Sequence, residues 1–266
     1  MPYQTINFKG AKINFCENGN GNAIVLLHGF TESLEIWNNF TEKLSEKYKV
    51  ITIDLPGHGK SECIAEVHTM ELMADCVKAV LEFLNVKKCV MFGHSMGGYV
   101  TLAFTKKFPE MINGFGLFHS SAFADTPEAK ENRKRAIEII RKNHKDYLNQ
   151  FIPDLFAPEN VERLKPEIER LKINASEQMT AEGITAAQLG MLERKDYSDL
   201  LSETNVPVFF IFGKKDKRIP FEKAAMQINL PKHSEVTILD CGHMGYLEAP
   251  EETLHSIKSF AEMIYR

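Results

Sequence analysis

The run CVMFGHSMGG at positions 89–98 joins three things: four apolar residues of strand character, the pattern G-x-S-x-G over Gly93–Gly97, and a helical segment that opens at Met96. A serine between strand and helix, flanked two positions away by glycine on each side, describes a sharp turn that pushes the Ser95 hydroxyl outward. The glycines have a steric reason, because bulk at either position would keep strand and helix from packing closely. The helix that follows offers backbone N–H groups at its N-terminus, where developing negative charge is stabilised. Ser95 therefore reads as a nucleophile.

Outward from this turn, AIVLL (23–27), VITID (50–54), FGLF (115–118), VFFIF (208–212) and VTIL (236–239) are, like CVMF, short apolar runs rich in β-branched and aromatic residues. They predict strands buried on both faces, as in a parallel sheet covered by helices. Segments of helical spacing lie between them, at 37–48, 70–84, 96–108 and 221–230, with a last helix from Pro250. The alternation predicts a doubly wound, mostly parallel α/β sheet. A hairpin of TINF and KINF, turned at Lys9 and Gly10, precedes it.

Positions 122–201 break the alternation. The text there is charged and helical, without a strand-like run, and Pro127, Pro153, Pro158, Pro166 and Gly183 punctuate it into short helices. The chain thus divides into a core of 1–121 and 202–266 and a helical insertion of 122–201. The insertion departs just after His119, Ser120 and Ser121, at a strand's carboxyl end, where ligands bind in open α/β sheets. It reads as a cap over the site. Its basic run from Arg133 to Lys145, interleaved with Ala136, Ile137, Ile139 and Ile140, reads as a solvated helix face in preference to an anion-binding patch.

A serine hydroxyl needs a general base, and the base needs a group to orient it. Of nine histidines, His243 has the position for this work, in a glycine-flanked loop directly after the last apolar run. His255 lies in the final helix, His68 and His144 in polar segments, and His233 before its strand; His28 reads as a buried hydrogen-bonding residue. The acid belongs between nucleophile and base in chain order, and Asp216 stands there, just past VFFIF. Asp240 is too near His243, and Asp125 is the fallback. In HGF (28–30), Gly29 permits a tight backbone that aims the Phe30 N–H at the same point as the Met96 N–H. Phe30, Met96 and Met244, with Phe151, Phe156 and Met191 from the insertion, are the expected lining of an apolar pocket. DLPGHGKS (54–61) reads as architecture: it is only a fragment of a phosphate loop, with no acidic residue placed for a dinucleotide.

Together HGF (28–30), DLPGHGKS (54–61), GHSMGG (93–98), GKKDKRIP (213–220) and GHM (242–244) resemble the α/β-hydrolase superfamily over nearly the whole chain. The similarity is greatest to small carboxylesterases and enol-lactone hydrolases, with haloperoxidase-like and carbon–carbon-bond hydrolases close behind. The resemblance implies Ser95, Asp216 and His243 as a triad, Phe30 and Met96 as oxyanion donors, and a helical cap. It implies acyl transfer from an ester, lactone or thioester of a small, largely apolar substrate, with no metal or organic cofactor. Serine in place of aspartate at the turn disfavours haloalkane dehalogenase and epoxide hydrolase chemistry, which needs a carboxylate nucleophile. Two rivals remain. A carbon–carbon hydrolase of a small carboxylic acid wants a cation for the substrate carboxylate, and no Arg or Lys is placed in the pocket by sequence. A triad-bearing small-molecule receptor would turn over p-nitrophenyl acetate or butyrate poorly.

With 266 residues, 44% of them hydrophobic, one sizeable core is expected. A formal net charge of −4 gives no basic field for nucleic acid. The opening MPYQTINFKGAKINF lacks a secretory pattern and no stretch approaches the ~18 apolar residues of a membrane span, so a soluble cytoplasmic protein is expected. Cys16, Cys63, Cys76, Cys89 and Cys241, odd in number and scattered, read as reduced thiols. Oligomeric state is not legible in any of these patterns.

Overall fold

The computed structural model of the chain describes residues 3–266. The predicted hairpin is strands β1 (Tyr3–Phe8) and β2 (Ala11–Asn18), and the apolar runs become β3 (Ala23–Leu27), β4 (Lys49–Ile53), β5 (Cys89–His94), β6 (Ile112–Phe118), β7 (Val208–Gly213) and β8 (Ser234–Leu239). They lie in one sheet of order β1-β2-β4-β3-β5-β6-β7-β8. β1, β2 and β4 pair antiparallel, and every other pairing is parallel. The carboxyl ends of β3, β5, β6, β7 and β8 therefore share one edge, and the loops that leave them carry the chemistry.

Helices α1 (Asn38–Leu44), α2 (Met70–Phe83) and α3 (Met96–Lys107) alternate with these strands. Helix α2 starts where Thr69 caps it, the hydroxyl accepting from the Leu72 amide at 3.1 Å, and it buries Met70, Met73, Ala74, Val77, Val80 and Leu81 on one stripe. Between β6 and β7 run α4 (Pro127–Phe151), α5 (Lys165–Gln178), α6 (Ala181–Leu192) and α7 (Ser198–Glu203), with no strand among the described residues. α8 (Phe221–Ala225), α9 (Gly245–Glu248) and α10 (Pro250–Ile264) complete the chain. Ile140, Leu148, Ile184 and Met191 of the insertion join the same buried apolar cluster as the sheet, so one core serves both regions.

Three expectations need correction. VTIL is not buried on both faces: β8 is the sheet's edge, and Val236 and Ile238 are exposed. The helix expected over 221–230 stops at Ala225, because Gln227 turns inward to receive the Ala122 amide (2.8 Å) and to donate to the Ser120 carbonyl (2.9 Å). Gly183 does not interrupt the insertion. It lies in the first turn of α6, and a Cβ there would meet the Gly57 backbone, with Gly57 Cα at 3.0 Å, so its role is close approach to the core. The break within the long α4 falls at Asn143, which leaves helical geometry and caps the next turn by accepting from the Asp146 amide at 3.2 Å.

All five cysteines are free, and all but Cys63 are buried. Among the described residues no helix is long and apolar enough to cross a membrane.

Candidate active site

Ser95 sits at φ 50° and ψ −111°, a left-handed strain that a serine rarely adopts, between the last residue of β5 and the first of α3. The surrounding glycines are required by contact. A Cβ at Gly93 would strike the Gly97 carbonyl, and one at Gly97 would lie 2.6 Å from the Leu27 carbonyl oxygen. The turn is held by the Ser95 amide, which donates to the Phe118 carbonyl at 2.8 Å, and by the Ser120 hydroxyl, which donates to the Ser95 carbonyl at 2.8 Å. The Ser95 side chain makes no capping bond to α3 and faces a cavity that His243 also lines.

His243 Nδ1 lies 2.7 Å from Asp216 Oδ2, which leaves Nε2 for the cavity. Asp216 is 5% exposed and fully engaged: its Oδ1 accepts from the Arg218 and Ile219 amides at 2.8 and 2.9 Å. Sequence reading missed the fourth donor, His119, whose Nδ1 reaches the same Oδ2 at 3.1 Å. Burial alone would raise the Asp216 carboxyl, but His243 and the hydrogen bonds from both imidazoles hold it well below the usual carboxylate range. Burial pushes His119 down to about 4 against the pull of Asp216, so His119 is a neutral donor at pH 7. His119, Asp216 and His243 place one ligand-type atom each within 4.8 Å of one another, and both Nδ1 atoms aim at one carboxylate oxygen, the geometry of a shared hydrogen bond. Cys241 Sγ stands 4.0 Å from His119 Nε2, and burial raises its thiol far from thiolate character.

Met96 opens α3, so its amide has no acceptor within the helix. Phe30 lines the cavity beside Ser95. What fixes the Phe30 loop is a buried pair that sequence reading also missed. Glu32 accepts from the Gly29 amide at 2.5 Å and from the Tyr246 hydroxyl at 3.1 Å, and lies 2.9 Å from His94 Nδ1. His94 Nε2 lies 2.9 Å from the His243 carbonyl. Both ring nitrogens thus face acceptors, which requires the imidazolium form. Burial works against that charge, but Glu32 raises the His94 pKa, while His94 outweighs burial to lower that of Glu32. The pair clasps the loops of Phe30, Ser95 and His243 together. Its stabilisation is present above the ordinary glutamate range and is lost as pH rises through the raised His94 value. Glu32→Gln is expected to cost about 3–5 kcal/mol, or roughly 10 °C in Tm, and to lower kcat. A variant with unchanged melting and turnover would show the pair to be incidental.

The other expected residues divide. His28 is buried, with Nδ1 on the Gly29 carbonyl (2.7 Å) and Nε2 receiving the Leu55 amide (2.9 Å), which matches its reading as a structural histidine. Asp54 gathers the Leu34 and Lys60 amides and the Asn14 amide group, so DLPGHGKS is architecture. Asp125 is remote from His243 in role: it pairs with Arg133 and Arg194. Phe151 and Met191 line the cavity, of about 410 Å³, but Phe156, Met96 and Met244 are not among its lining residues. The Phe156 side chain is wholly buried and its backbone lies against Gly242, while the Met244 amide is spent on Glu248 at 3.1 Å. The lining also carries cations that sequence reading did not place there, since Arg133, Arg194, Lys217, Arg218 and Lys223 all reach it. Of the basic run, Arg133 alone is among the lining residues.

The family described as alpha/beta hydrolase fold matches residues 22–250. A thermophilic esterase from Thermogutta terrifontis, solved with malate bound, is 31% identical, covers 100% of each chain and superposes with a TM-score of 0.93. The 2-hydroxy-6-oxononadienedioate/2-hydroxy-6-oxononatrienedioate hydrolase of Escherichia coli is 28% identical over 90% of this chain and 87% of its own. The (E)-2-((N-methylformamido)methylene)succinate hydrolase of Acinetobacter baylyi is 24% identical over 94% of each.

Proposed function

The chain belongs to the α/β-hydrolase family, and from that premise we propose that it is a serine hydrolase that cleaves a carboxylic ester or lactone through an acyl-enzyme. The observation that carries this reading is His243, tied to Asp216 through Nδ1 and sharing a cavity through its free edge with the strained Ser95. Ser95 Oγ attacks the carbonyl carbon while His243 Nε2 takes the proton, and the oxyanion is met by the Phe30 and Met96 N–H groups. Collapse expels the alcohol, protonated by His243; water then attacks the acyl-enzyme, with His243 again as base, and Ser95 is released. The esterase among the similar structures supports this assignment.

Carbon–carbon hydrolysis is the second reading, favoured by the Escherichia coli relative and by the cations around the cavity. A panel of p-nitrophenyl esters and lactones run beside 2-hydroxy-6-oxononadienedioate separates the two. Turnover of the panel supports the first; turnover of the dienedioate alone overturns it.

The insertion of 122–201 is, on this reading, the cap that selects the acyl group. Phe151 packs edge-on to Phe30 at 5.7 Å between ring centroids and is stacked on Tyr147 at 5.2 Å, so it forms a wall beside the oxyanion loop. Phe151→Ala is expected to raise KM for acetyl and butyryl esters roughly tenfold and to shift preference toward longer acyl chains. An unchanged chain-length profile would place acyl selection in the core loops.

A further inference from the structure

Five cations reach the cavity that Ser95 and His243 share, and two carboxylates, Asp125 and Asp154, pair with four of them. Lys223 has no ion-pair partner among the described residues, and even with Asp216 behind His243 the balance is positive. Arg133 and Arg194 are the buried cations, with side chains 19% and 6% exposed, and they share the single carboxylate of Asp125, so an anionic ligand adds the counter-charge they lack.

Two of the guanidinium groups are built as receivers. Arg133 donates through Nε to Asp125 (2.5 Å) and through Nη1 to Gln188 Oε1 (3.1 Å), so its plane is fixed while Nη2 has no protein acceptor among the described residues. Asp125 is itself anchored by Arg194, whose guanidinium carbon stands 4.1 Å from the Tyr99 ring centroid and which donates to the Phe123 carbonyl at 2.9 Å. Arg218 donates to Asp154 at 2.7 Å and rests on the Phe151 ring, 4.6 Å from its centroid. Tyr147 stacks on the same Phe151 ring: burial pushes its phenol up to about 12, and the charges of both Arg218 and Arg133 act to lower it. Planar guanidinium groups so held match the two oxygens of a carboxylate.

We propose that Arg133 and Arg218 hold a free carboxylate of the substrate, so that the substrate class is half-esters of small dicarboxylic acids, with the scissile ester at Ser95 and the acid at the arginine wall. The identity of the scissile bond rests on the ester-hydrolase reading; the carboxylate subsite does not. Lys134, Arg135, Arg141, Lys142 and Lys145 of the basic run are exposed, so the subsite is a local feature of α4 and the loop after β7.

The test pairs kinetics with binding. For kinetics, monomethyl glutarate is compared with methyl valerate, its neutral counterpart of equal length; for binding, glutarate is titrated calorimetrically. The wild-type protein is expected to prefer the half-ester by at least about tenfold in kcat/KM, and Arg133→Met and Arg218→Met each to weaken glutarate roughly 10- to 100-fold and collapse the preference. Glutarate affinity of the wild type should also fall between 50 and 500 mM NaCl, a measurement that stands if either variant fails to fold. Glutarate binding that is absent, insensitive to salt, or unchanged in both variants overturns the subsite, whether or not neutral esters are hydrolysed. Arginine-dependent glutarate binding with no ester turnover retains the subsite and overturns the ester reading instead.

Discussion

Ser95→Ala is expected to lower kcat/KM by about 10⁴-fold or more while leaving the melting temperature nearly unchanged. The hydroxyl makes no capping bond to α3, so its removal costs the fold little, whereas the proposed acyl-enzyme cannot form without it. The strain belongs to the backbone, at φ 50°, and alanine inherits it. Ser95→Gly should be equally inactive yet more stable by roughly 1 kcal/mol, a rise of about 2–4 °C in Tm, because glycine accepts that φ freely. A fluorophosphonate probe followed by peptide mapping should label Ser95 alone in the wild type. Label on another serine, or ester turnover retained in the alanine variant, would remove Ser95 from the mechanism.

Asp216→Asn should reduce kcat by a comparable factor, about 10⁴-fold, for an electrostatic reason. An amide at this position offers N–H where His243 needs an acceptor, which favours the imidazole tautomer with its proton on Nε2, unable to take one from Ser95. Asp216 also carries a stability signature. Its pKa is depressed in the fold, so its contribution is present above the ordinary aspartate value and is lost as pH falls toward the native one. The wild type should therefore lose stability on acidification below about pH 4, and the asparagine variant should lack that part of the profile. Asp125→Asn supplies the contrast. Its activity should stay near wild type, while its stability should fall by about 3–5 kcal/mol because Asp125 holds Arg133 and Arg194. Labelling of Ser95 by the phosphonate should survive in Asp125→Asn and fail in Asp216→Asn; the reverse result would transfer the orienting role to Asp125.

The strand–turn–helix at Ser95 was legible because its constraints are local. Four apolar residues ask for a buried strand, and Gly93 and Gly97 are demanded by backbone atoms within a few residues or on the adjoining β3. Chain order and the position after each strand were enough to bring Asp216 and His243 to one edge, since parallel strands present their carboxyl ends together. Phe156 failed for a related reason: an aromatic residue in a helical insertion shows that it will be buried, not against what.

Sequence by itself therefore determined the sheet, the run of helices between β6 and β7 and the chain order of Ser95, Asp216 and His243 at the strand ends, all of which follow from short-range sterics and from hydrophobic period. Only the tertiary structure decided that His119 shares Asp216 with His243, that Glu32 and His94 form a charged clasp across three loops, and that Arg133 and Arg218 face one cavity. These groups are separated by tens of residues, and burial and charge act on distance in space, which no local spacing in the chain encodes.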